Sequence, residues 1–403
     1  MPTLYVTEPG ARVEKDHGRL QVTKEDEVLA SVPLAQVSEV VLVGGVGVTT
    51  PAMLTLLENG CGLTLITSTG HMRGRLRPAE ARNVPLRQKQ YRRAEDEKFC
   101  LAVSQAIVAG KLRNCRTLAR RMARPNTGGP SAGGPSQSAP PTAATAESPD
   151  AMTQESTTPA GDESSSTPTP DKHDPFARMN AMLARVPQAK DLAELRGLEG
   201  MGAKAYFSVL RAALRAELTF DKRTRRPPRD PANALLSLLY SLLTNALFTA
   251  AEVVGLDAYA GYFHADKYGR PALALDLVEE FRPIVADSVV LWVVNKRMLK
   301  PEDFTTYPVG ADADAGVTAP ASATTPGAEV KETPADNAEQ GVRLSRRGLR
   351  VVLGQFSRRL QTEVYHPGAG RALTYQKVFE VQARALRKCI ETGEPNYQPF
   401  LVK

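Results

Sequence analysis

The sequence predicts an α+β protein in which a small N-terminal β-sandwich-like domain precedes a larger all-α domain that two disordered insertions interrupt. Three observations support this fold class. The first seventy-odd residues contain β-branched runs separated by turn signals, later apolar residues recur with a helical period, and two long tracts have a strongly polar composition. With 403 residues the chain is longer than one ordinary domain, so we expect two.

Residues 1–78 form the predicted β domain. Pro9-Gly10 and His17-Gly18 are turn signals between its strand-like runs, so His17 is interpreted as a turn residue. Thr50 to Gly62 is predicted to form a short amphipathic helix, with Thr50 as its N-cap before a proline and Gly60 as its end. This helix leads into the apolar strand LTLIT.

After Leu76 the apolar residues recur with a period of 3.6, which predicts helices. We assign to the α domain the first helices at 79–124, a middle part at 173–307 and C-terminal helices at 341–403. The helices within Leu86–Arg124 are expected to keep their Arg and Lys side chains on the exterior. Trp292, in the run VVLWVVNK, is predicted to be a core residue, and His366, in YHPGAGR, to lie in a loop.

The two predicted disordered insertions are residues 125–172 and 308–340. Between Pro125 and Pro170 there is no aromatic residue, Lys or Arg, and the second tract has a similar polar character. Such segments bury too little apolar surface to offset the conformational entropy lost on ordering. We expect neither tract to take part in chemistry.

The net charge favours a polyanionic partner. The chain carries +7 at pH 7, yet each polar tract carries −5, so the remaining residues carry +17. Clustered Lys and Arg side chains bind nucleic acid because they release counterions from the phosphate backbone. Charge alone leaves open the alternative, a basic protein without such a partner.

Cysteine usage and apolar runs exclude several protein classes. The four cysteines stand far apart without a C-x-x-C pair, which argues against a zinc ribbon and a disulfide framework and favours buried thiols. The N-terminal stretch MPTLYVTEPG does not have the pattern of a signal peptide, and no uninterrupted apolar run of about 18 residues occurs. We therefore predict a cytoplasmic protein without a membrane partner.

Acidic residues within the apolar segment PALALDLVEEF are the first candidates for chemistry. On a helix Asp276 lies one turn before Glu279 and Glu280, so the three carboxylates share one region. Arg282 or Lys296 could neutralise them as salt-bridge partners. The other interpretation is a divalent cation, which binds clustered carboxylate oxygens.

Two further residues favour the metal interpretation. His264 lies in a loop before this segment, and that loop could bring its imidazole beside the carboxylates. Glu199 lies between glycines in LEGMGAKAYF, where backbones can approach closely. One histidine with two or three carboxylates suits Mg²⁺ or Mn²⁺ rather than a structural zinc.

Three basic clusters could hold phosphates. The alternative for each arginine is a solvated surface charge, but the clusters together favour contact with a DNA backbone, which positions the protein without reading sequence. The clusters consist of Arg73, Arg75 and Arg77; of Lys111 and Arg113, with Arg116, Arg120 and Arg121; and of Arg223, Arg225, Arg226 and Arg229.

Four motifs in order resemble the CRISPR-associated integrase, the first of the Cas proteins. They are LEGMGAKAYF with Glu199, RRPPRDPANALLSLLYSLL, GYFHADKYGRPALALD with His264, and DLVEEFRP with Glu279. The N-terminal segment from Val32 to Leu76 is also similar to the β domain of that family. The resemblance extends over nearly all of the chain except the two polar tracts.

The resemblance implies which residues form the active site. Glu199, His264 and Glu279 match the family's ligands for Mg²⁺ or Mn²⁺, and Asp276 is an additional acid that could also bind the ion. Some members have Asp where this chain has Glu279, an exchange that keeps a carboxylate. Asn233, Ser237 and Tyr240 match the family pattern as well; they could contact DNA, contact the metal ligands from behind, or pack the helices together.

The implied function is integration of prespacer DNA into a CRISPR array by 3′-hydroxyl attack on a phosphodiester. The implied partners are double-stranded DNA of the prespacer and the repeat–leader, a second copy bound through the β domain, and the second Cas protein in a heterohexamer. Ion binding should weaken below about pH 6, where imidazole becomes protonated. The alternatives are a basic DNA-binding scaffold without catalysis and a stand-alone structure-specific nuclease.

Overall fold

The computed structural model describes residues 3–78, 83–124, 174–264, 267–308 and 340–402, apart from 215–217, 219, 221 and 225–226. The insertion predicted at 125–172 lies outside the described residues. The insertion predicted at 308–340 also lies outside them, except for Pro308, the last residue of one strand, and Gln340, the first residue of another.

The N-terminal domain consists of two four-stranded sheets and one helix. One sheet has the strand order β1-β5-β7-β8 and the other β4-β3-β2-β6. Val13, Leu20, Leu42 and Leu56 lie in the core between them. The elements are β1 (Thr3–Val6), β2 (Arg12–Asp16), β3 (Arg19–Lys24), β4 (Glu27–Pro33), β5 (Glu39–Val43), β6 (Gly47–Val48), α1 (Thr50–Glu58), β7 (Gly62–Ile66) and β8 (Met72–Leu76).

The sequence located the local structure of this domain closely. The N-cap of α1 is Thr49, one residue before the predicted Thr50, because the Thr49 side chain accepts the hydrogen bond from Ala52 N. The strand predicted after α1 is β7. His17 is exposed with a φ of 50°, as expected for a turn residue.

The second domain is predominantly helical, so the predicted fold class is confirmed. Its helices are α2 (Val84–Ala94), α3 (Glu97–Ala123), α4 (Pro175–Arg185), α5 (Leu192–Ala213), α6 (Pro231–Val253), α7 (Ala272–Phe281), α8 (Ser288–Asn295), α9 (Arg346–Gln361) and α10 (Tyr375–Thr392). Aspartates cap the N-termini of α3, α4, α5 and α6 through hydrogen bonds to free backbone N–H groups.

Two antiparallel strand pairs in the helical domain were not predicted. Strand β9 (Phe304–Pro308) pairs with β10 (Gln340–Leu344), and β11 (Glu363–His366) pairs with β12 (Arg371–Thr374). The prediction of a loop at His366 is therefore wrong. Its buried ring packs on Phe400 and shares a hydrogen bond with Gln382.

Helix α6 crosses the middle of the helical core. It is long and apolar enough to span a bilayer by length and composition, but 61% of its most apolar window is buried within the protein. Its N-terminal half is almost continuously buried. We therefore interpret it as a core helix.

Two predictions about single residue types have opposite outcomes. All four cysteines are buried free thiols, as expected. Trp292 is not a core residue, because 54% of its surface is exposed while Val290 and Val293 on the same helix are buried. The Lys296 ammonium lies 5.3 Å from its ring centroid, so one face of the indole meets a surface cation.

Candidate active site

The three predicted site residues come from distant segments and meet in space. Glu199 lies on α5, His264 in the loop before α7, and Glu279 on α7. His264 Nε2 is 3.7 Å from Glu279 Oε1. Lys111 Nζ, from α3, contacts Glu199 Oε1 and lies 2.5 Å from Glu279 Oε2. Both carboxylates and the imidazole therefore surround one small volume.

The position of Lys111 corrects a sequence prediction. The lysine was expected on the basic exterior of α3 as a DNA contact, but it is buried, with 7% of its surface exposed. Burial by itself lowers the pKa of a lysine, whereas the charges of Glu279 and Glu199 act oppositely, so the net pKa of Lys111 is raised. Its ammonium is therefore a charged component of the site.

Asp276 lies behind the imidazole rather than beside the two glutamates. It is fully buried, and its Oδ2 accepts hydrogen bonds from the backbone N–H groups of Tyr262 at 2.6 Å and Phe263 at 3.0 Å. Its Oδ1 accepts from the His264 backbone and from His264 Nδ1. A ring nitrogen that donates from Nδ1 leaves the Nε2 lone pair open toward Glu279.

Gly261 permits this close approach of the loop to α7. A Cβ atom at residue 261 would lie 2.7 Å from the backbone carbon of Ala272 and 2.9 Å from Asp276 Oδ2. The expected close packing around Glu199 is more limited. Nothing lies within 4 Å of a Cβ at Gly197 or Gly200, whereas one at Gly202 would collide with Leu112 of α3.

Glu279 is a buried anion that neighbouring cations hold ionised. Arg282 Nη1 lies 2.8 Å from Glu279 Oε1, so the salt bridge that the sequence suggested between Arg282 and this group of acids forms with Glu279. Burial alone would raise the pKa of Glu279, but Arg282 and Lys111 lower it to about 2. Its Oε2 faces the Lys111 ammonium at 2.5 Å.

A π-helical turn at Arg282–Asp287 joins α7 to α8, and its first residue, Arg282, contacts Glu279. Asp287 is buried and accepts hydrogen bonds from Tyr206 and Tyr240, each at 2.7 Å. Burial raises the pKa of Asp287 to about 6 despite these hydrogen bonds. The guanidinium groups of Arg223 and Arg282 lie 5.4 Å and 5.0 Å from the Tyr240 ring centroid.

Glu280 points away from the site. It accepts hydrogen bonds from Tyr397 Oη and from the Phe400 backbone, both at 2.7 Å, so it anchors the C-terminal segment to α7. Burial raises the pKa of Glu280 to about 7, and the hydrogen bonds oppose this shift only in part. Of the two neighbouring glutamates, only Glu279 faces the imidazole.

The donor set suits a divalent cation of the Mg²⁺ type, although it is not assembled around one. Within the described parts of the chain, no group of three or more His, Cys, Asp or Glu is placed closely enough to hold a metal ion. Lys111 separates the two carboxylates, and its ammonium is itself a cation held by their oxygens. The Glu279 oxygen that now faces the lysine, the Glu199 carboxylate and the His264 Nε2 atom would suit the ion once the lysine moves.

The predicted DNA-contacting arginines fall into different environments. Arg73, Arg113 and Arg229 are exposed. Arg75 and Arg77 join β8 to α6 through Glu252 and Thr249, and their side chains are only 8% and 15% exposed. The solvated alternative is therefore wrong for this pair, which forms a domain contact. Arg225 and Arg226 lie outside the described residues.

Arg223 and two of the family-pattern residues form a local network at the start of α6. Arg223 Nη1 donates to Asn233 Oδ1 at 2.8 Å and lies 3.2 Å from Ser237 Oγ. Asn233 is fully buried and also binds the Lys222 carbonyl and Asp230. Asn233 therefore has a packing role in this structure.

Comparison with known proteins identifies the relatives of this chain. The profile of the family described as CRISPR associated protein Cas1 matches residues 4–148 and 152–311. A CRISPR-associated endonuclease Cas1 of Thermus thermophilus is 32% identical over 403 residues, which cover 99% of this chain and 97% of that protein.

Two solved structures share the fold. A casposase bound to an integration product superposes with a TM-score of 0.71 at 18% identity, over 99% of this chain and 93% of that one. A chain of a Cas6-RT-Cas1–Cas2 complex superposes with a TM-score of 0.70 at 20% identity, over 100% of this chain and 36% of that one. The profile match and the full-length relative show that the chain belongs to the Cas1 family of CRISPR-associated proteins.

Proposed function

We propose that the chain is a divalent-metal-dependent DNA endonuclease and integrase, which joins the 3′-hydroxyl end of a prespacer to a phosphodiester of a CRISPR array. The observation that carries this proposal is the convergence of Glu199, His264 and Glu279 from three segments around one cation-holding volume. The relative named as an endonuclease and the casposase bound to an integration product support the same reaction class.

In this proposal the three residues bind the ion and their neighbours position them. Glu199 and Glu279 provide carboxylate oxygens, and His264 provides Nε2 because Asp276 engages Nδ1. Arg282 fixes Glu279 through the other carboxylate oxygen. A bound Mg²⁺ or Mn²⁺ would supply a Lewis acid, which would favour ionisation of the attacking hydroxyl and neutralise charge on the phosphate.

The attacking group in this proposal is the DNA hydroxyl or water rather than a protein side chain. Cys115 lies near the charged cluster, but burial raises the pKa of its thiol well above the ordinary value. A thiol is reactive as a thiolate, so Cys115 is a poor nucleophile at neutral pH. The residues around the site therefore bind, orient and balance charge.

The basic surface supports a duplex DNA substrate. Arg73, Arg113 and Arg229 are exposed and could contact phosphates, whereas Arg75, Arg77 and Lys111 make contacts inside the protein. Phosphate contacts of this kind would position DNA without reading its sequence. A DNA substrate also agrees with the cytoplasmic location predicted from sequence.

We propose two protein partners. The edge strand β4 exposes Val28 and Leu29, with 52% and 44% of their surfaces accessible, and this supports a homodimer formed through the β domain. The structural neighbour within a Cas1–Cas2 complex supports the second Cas protein as a further partner, which would bridge two homodimers of this chain in a heterohexamer.

The test is a strand-transfer assay with the purified partner, a 3′-OH duplex, a supercoiled array plasmid and Mn²⁺. We expect His264→Ala to abolish integration, because it removes the only nitrogen ligand of the proposed set. His17→Ala, at an exposed histidine in the turn after β2, is the matched control and should integrate like wild type.

The result also separates the alternatives. Integration that proceeds unchanged in His264→Ala and without a divalent ion would remove the catalytic assignment and favour a DNA-binding scaffold. Metal-dependent cleavage without joining would favour a stand-alone nuclease.

A further inference from the structure

Lys111 uses the same carboxylate oxygens that the proposed ion would need. Its ammonium contacts Glu199 Oε1 and lies beside Glu279 Oε2, whereas Arg282 contacts the other oxygen, Glu279 Oε1. His264 Nε2 lies 3.7 Å from that same Oε1 atom. The lysine and a divalent ion therefore compete for one position between the two carboxylates.

The charges make it unfavourable for the Lys111 ammonium and a divalent ion to occupy the site together. The site holds the carboxylates of Glu199 and Glu279 against the cations Lys111 and Arg282, and the lysine side chain is only 8% exposed. Adding a divalent ion beside a stationary ammonium would place like charges within a few ångströms of each other at low dielectric. Removing the lysine without adding an ion would instead leave two carboxylates without their shared cation.

The backbone of α3 is held in position, which restricts how the Lys111 ammonium could move away from the carboxylates. The preceding residue, Gly110, packs so closely on Pro399 of the C-terminal segment that a Cβ atom there would collide with the proline ring. Asn114, one turn later, donates hydrogen bonds to the carbonyls of Glu280 and Phe400. The helix is therefore fixed on both sides of Lys111, and the movable part is the four-carbon side chain.

We propose that Lys111 is the resident counter-ion of the metal site, and that loading with a divalent cation is an exchange in which its ammonium leaves the space between Glu199 and Glu279. This inference rests on the proposed function, because it concerns the same three ligands. The lysine keeps the carboxylates together in the metal-free protein and lowers the affinity for the ion. Half-occupancy of the site then requires a higher metal concentration than it would for an uncompensated pair of carboxylates.

The test measures Mn²⁺ binding by isothermal titration calorimetry and the melting temperature with and without Mn²⁺. The variants are Lys111→Met, which removes the charge and keeps the length, and Lys111→Arg, which keeps the charge. Lys98→Met, at an exposed lysine on the same helix, is the control. His264→Ala shows whether the binding measured occurs at this site.

We expect Lys111→Met to bind Mn²⁺ about tenfold more tightly than wild type, or better, because a competing cation is gone. Its melting temperature should be lower without the ion and should rise more when Mn²⁺ is added. Lys111→Arg and Lys98→Met should bind like wild type. Equal or weaker binding by Lys111→Met, with His264-dependent binding in wild type, would overturn the exchange and leave the proposed function standing.

Failure of the proposed function would give a different result: no variant would show Mn²⁺ binding that depends on His264. This result would overturn the exchange as well. Should Lys111→Met fail to fold, crystals of wild type grown with and without MnCl₂ decide the question. A Lys111 ammonium that leaves both carboxylates in the presence of Mn²⁺ supports the proposal. One that still bridges them beside the bound ion overturns it.

Discussion

Asp276 Oδ1 accepts two hydrogen bonds from His264, one from the backbone N–H at 2.9 Å and one from the ring Nδ1 at 2.7 Å. The same carboxylate therefore fixes the loop, the ring orientation and the tautomer of the histidine. When Nδ1 of a histidine ligand is held by a hydrogen bond in this way, its Nε2 atom points in a defined direction. Asp276 is best understood as the residue that positions His264.

Asp276→Asn should weaken Mn²⁺ binding by about 10- to 100-fold. The amide nitrogen would replace either Oδ2, which accepts from the backbone N–H groups of Tyr262 and Phe263, or Oδ1, which accepts from His264, and would set N–H against N–H at that place. Calorimetric titration measures the affinity, and Asp257→Asn, in the same loop but without contact to His264, is the control. Wild-type affinity in Asp276→Asn would show that this carboxylate does not position the ring.

Gly261→Ala should destabilise the protein by about 1–3 kcal/mol, because the new methyl group overlaps the backbone of α7. Gly197→Ala is the matched substitution at a helical glycine with nothing within 4 Å, and it should stabilise the protein by up to about 1 kcal/mol. Urea unfolding of both variants measures the free energies. Equal stability of the two variants would mean that the loop does not need to approach α7 so closely.

The raised pKa of Asp287, about 6, predicts a defined pH dependence of stability. The folded state binds the Asp287 proton more tightly than the unfolded state does. The resulting contribution to folding stability is therefore fully present below the ordinary pKa of 3.8 and is lost as pH rises through 6. The melting temperature of Asp287→Asn minus that of wild type should therefore increase as pH rises from 4 to 7. Asp26→Asn, at an exposed aspartate before β4, is the control for loss of a surface carboxylate. A difference between Asp287→Asn and wild type that stays constant with pH would contradict the prediction.

Trp292 provides a spectroscopic test of the surface, since it is the only tryptophan in the chain. With 54% of the residue exposed, acrylamide should quench its fluorescence efficiently in the native protein. Trp292→Ala should change the free energy of unfolding by no more than about 0.5 kcal/mol, as for other surface sites. A native tryptophan shielded from quencher would place it in an interface with another copy or in the core.

The fold class was predictable, and candidate site residues could be selected, because their signals are local or chemically distinctive. Strand-like and helix-like periodicities occupy separate parts of the chain, so the order of the two domains could be inferred. Glu199, His264 and Glu279 are polar residues in otherwise apolar or glycine-rich segments. Their convergence was inferred from resemblance, and the structure brings them together.

The parts that were missed depend on contacts between residues far apart in the chain. A lysine on an amphipathic helix usually faces water, and nothing local shows that Lys111 instead meets Glu199 and Glu279. Glu280 finds Tyr397 across 117 residues, so its orientation could not be separated from that of Glu279 by helical spacing alone. Pro283, which cannot donate a helical hydrogen bond, was the local signal for the π-helical turn.

The most direct test of the central claim is an anomalous-difference map from crystals of the full chain grown with MnCl₂, with His264→Ala crystals as the comparison. We predict one strong peak in contact with Glu199, His264 Nε2 and Glu279, and its loss in His264→Ala. A manganese peak elsewhere, or none between these three side chains at saturating Mn²⁺, would contradict the assignment of this site.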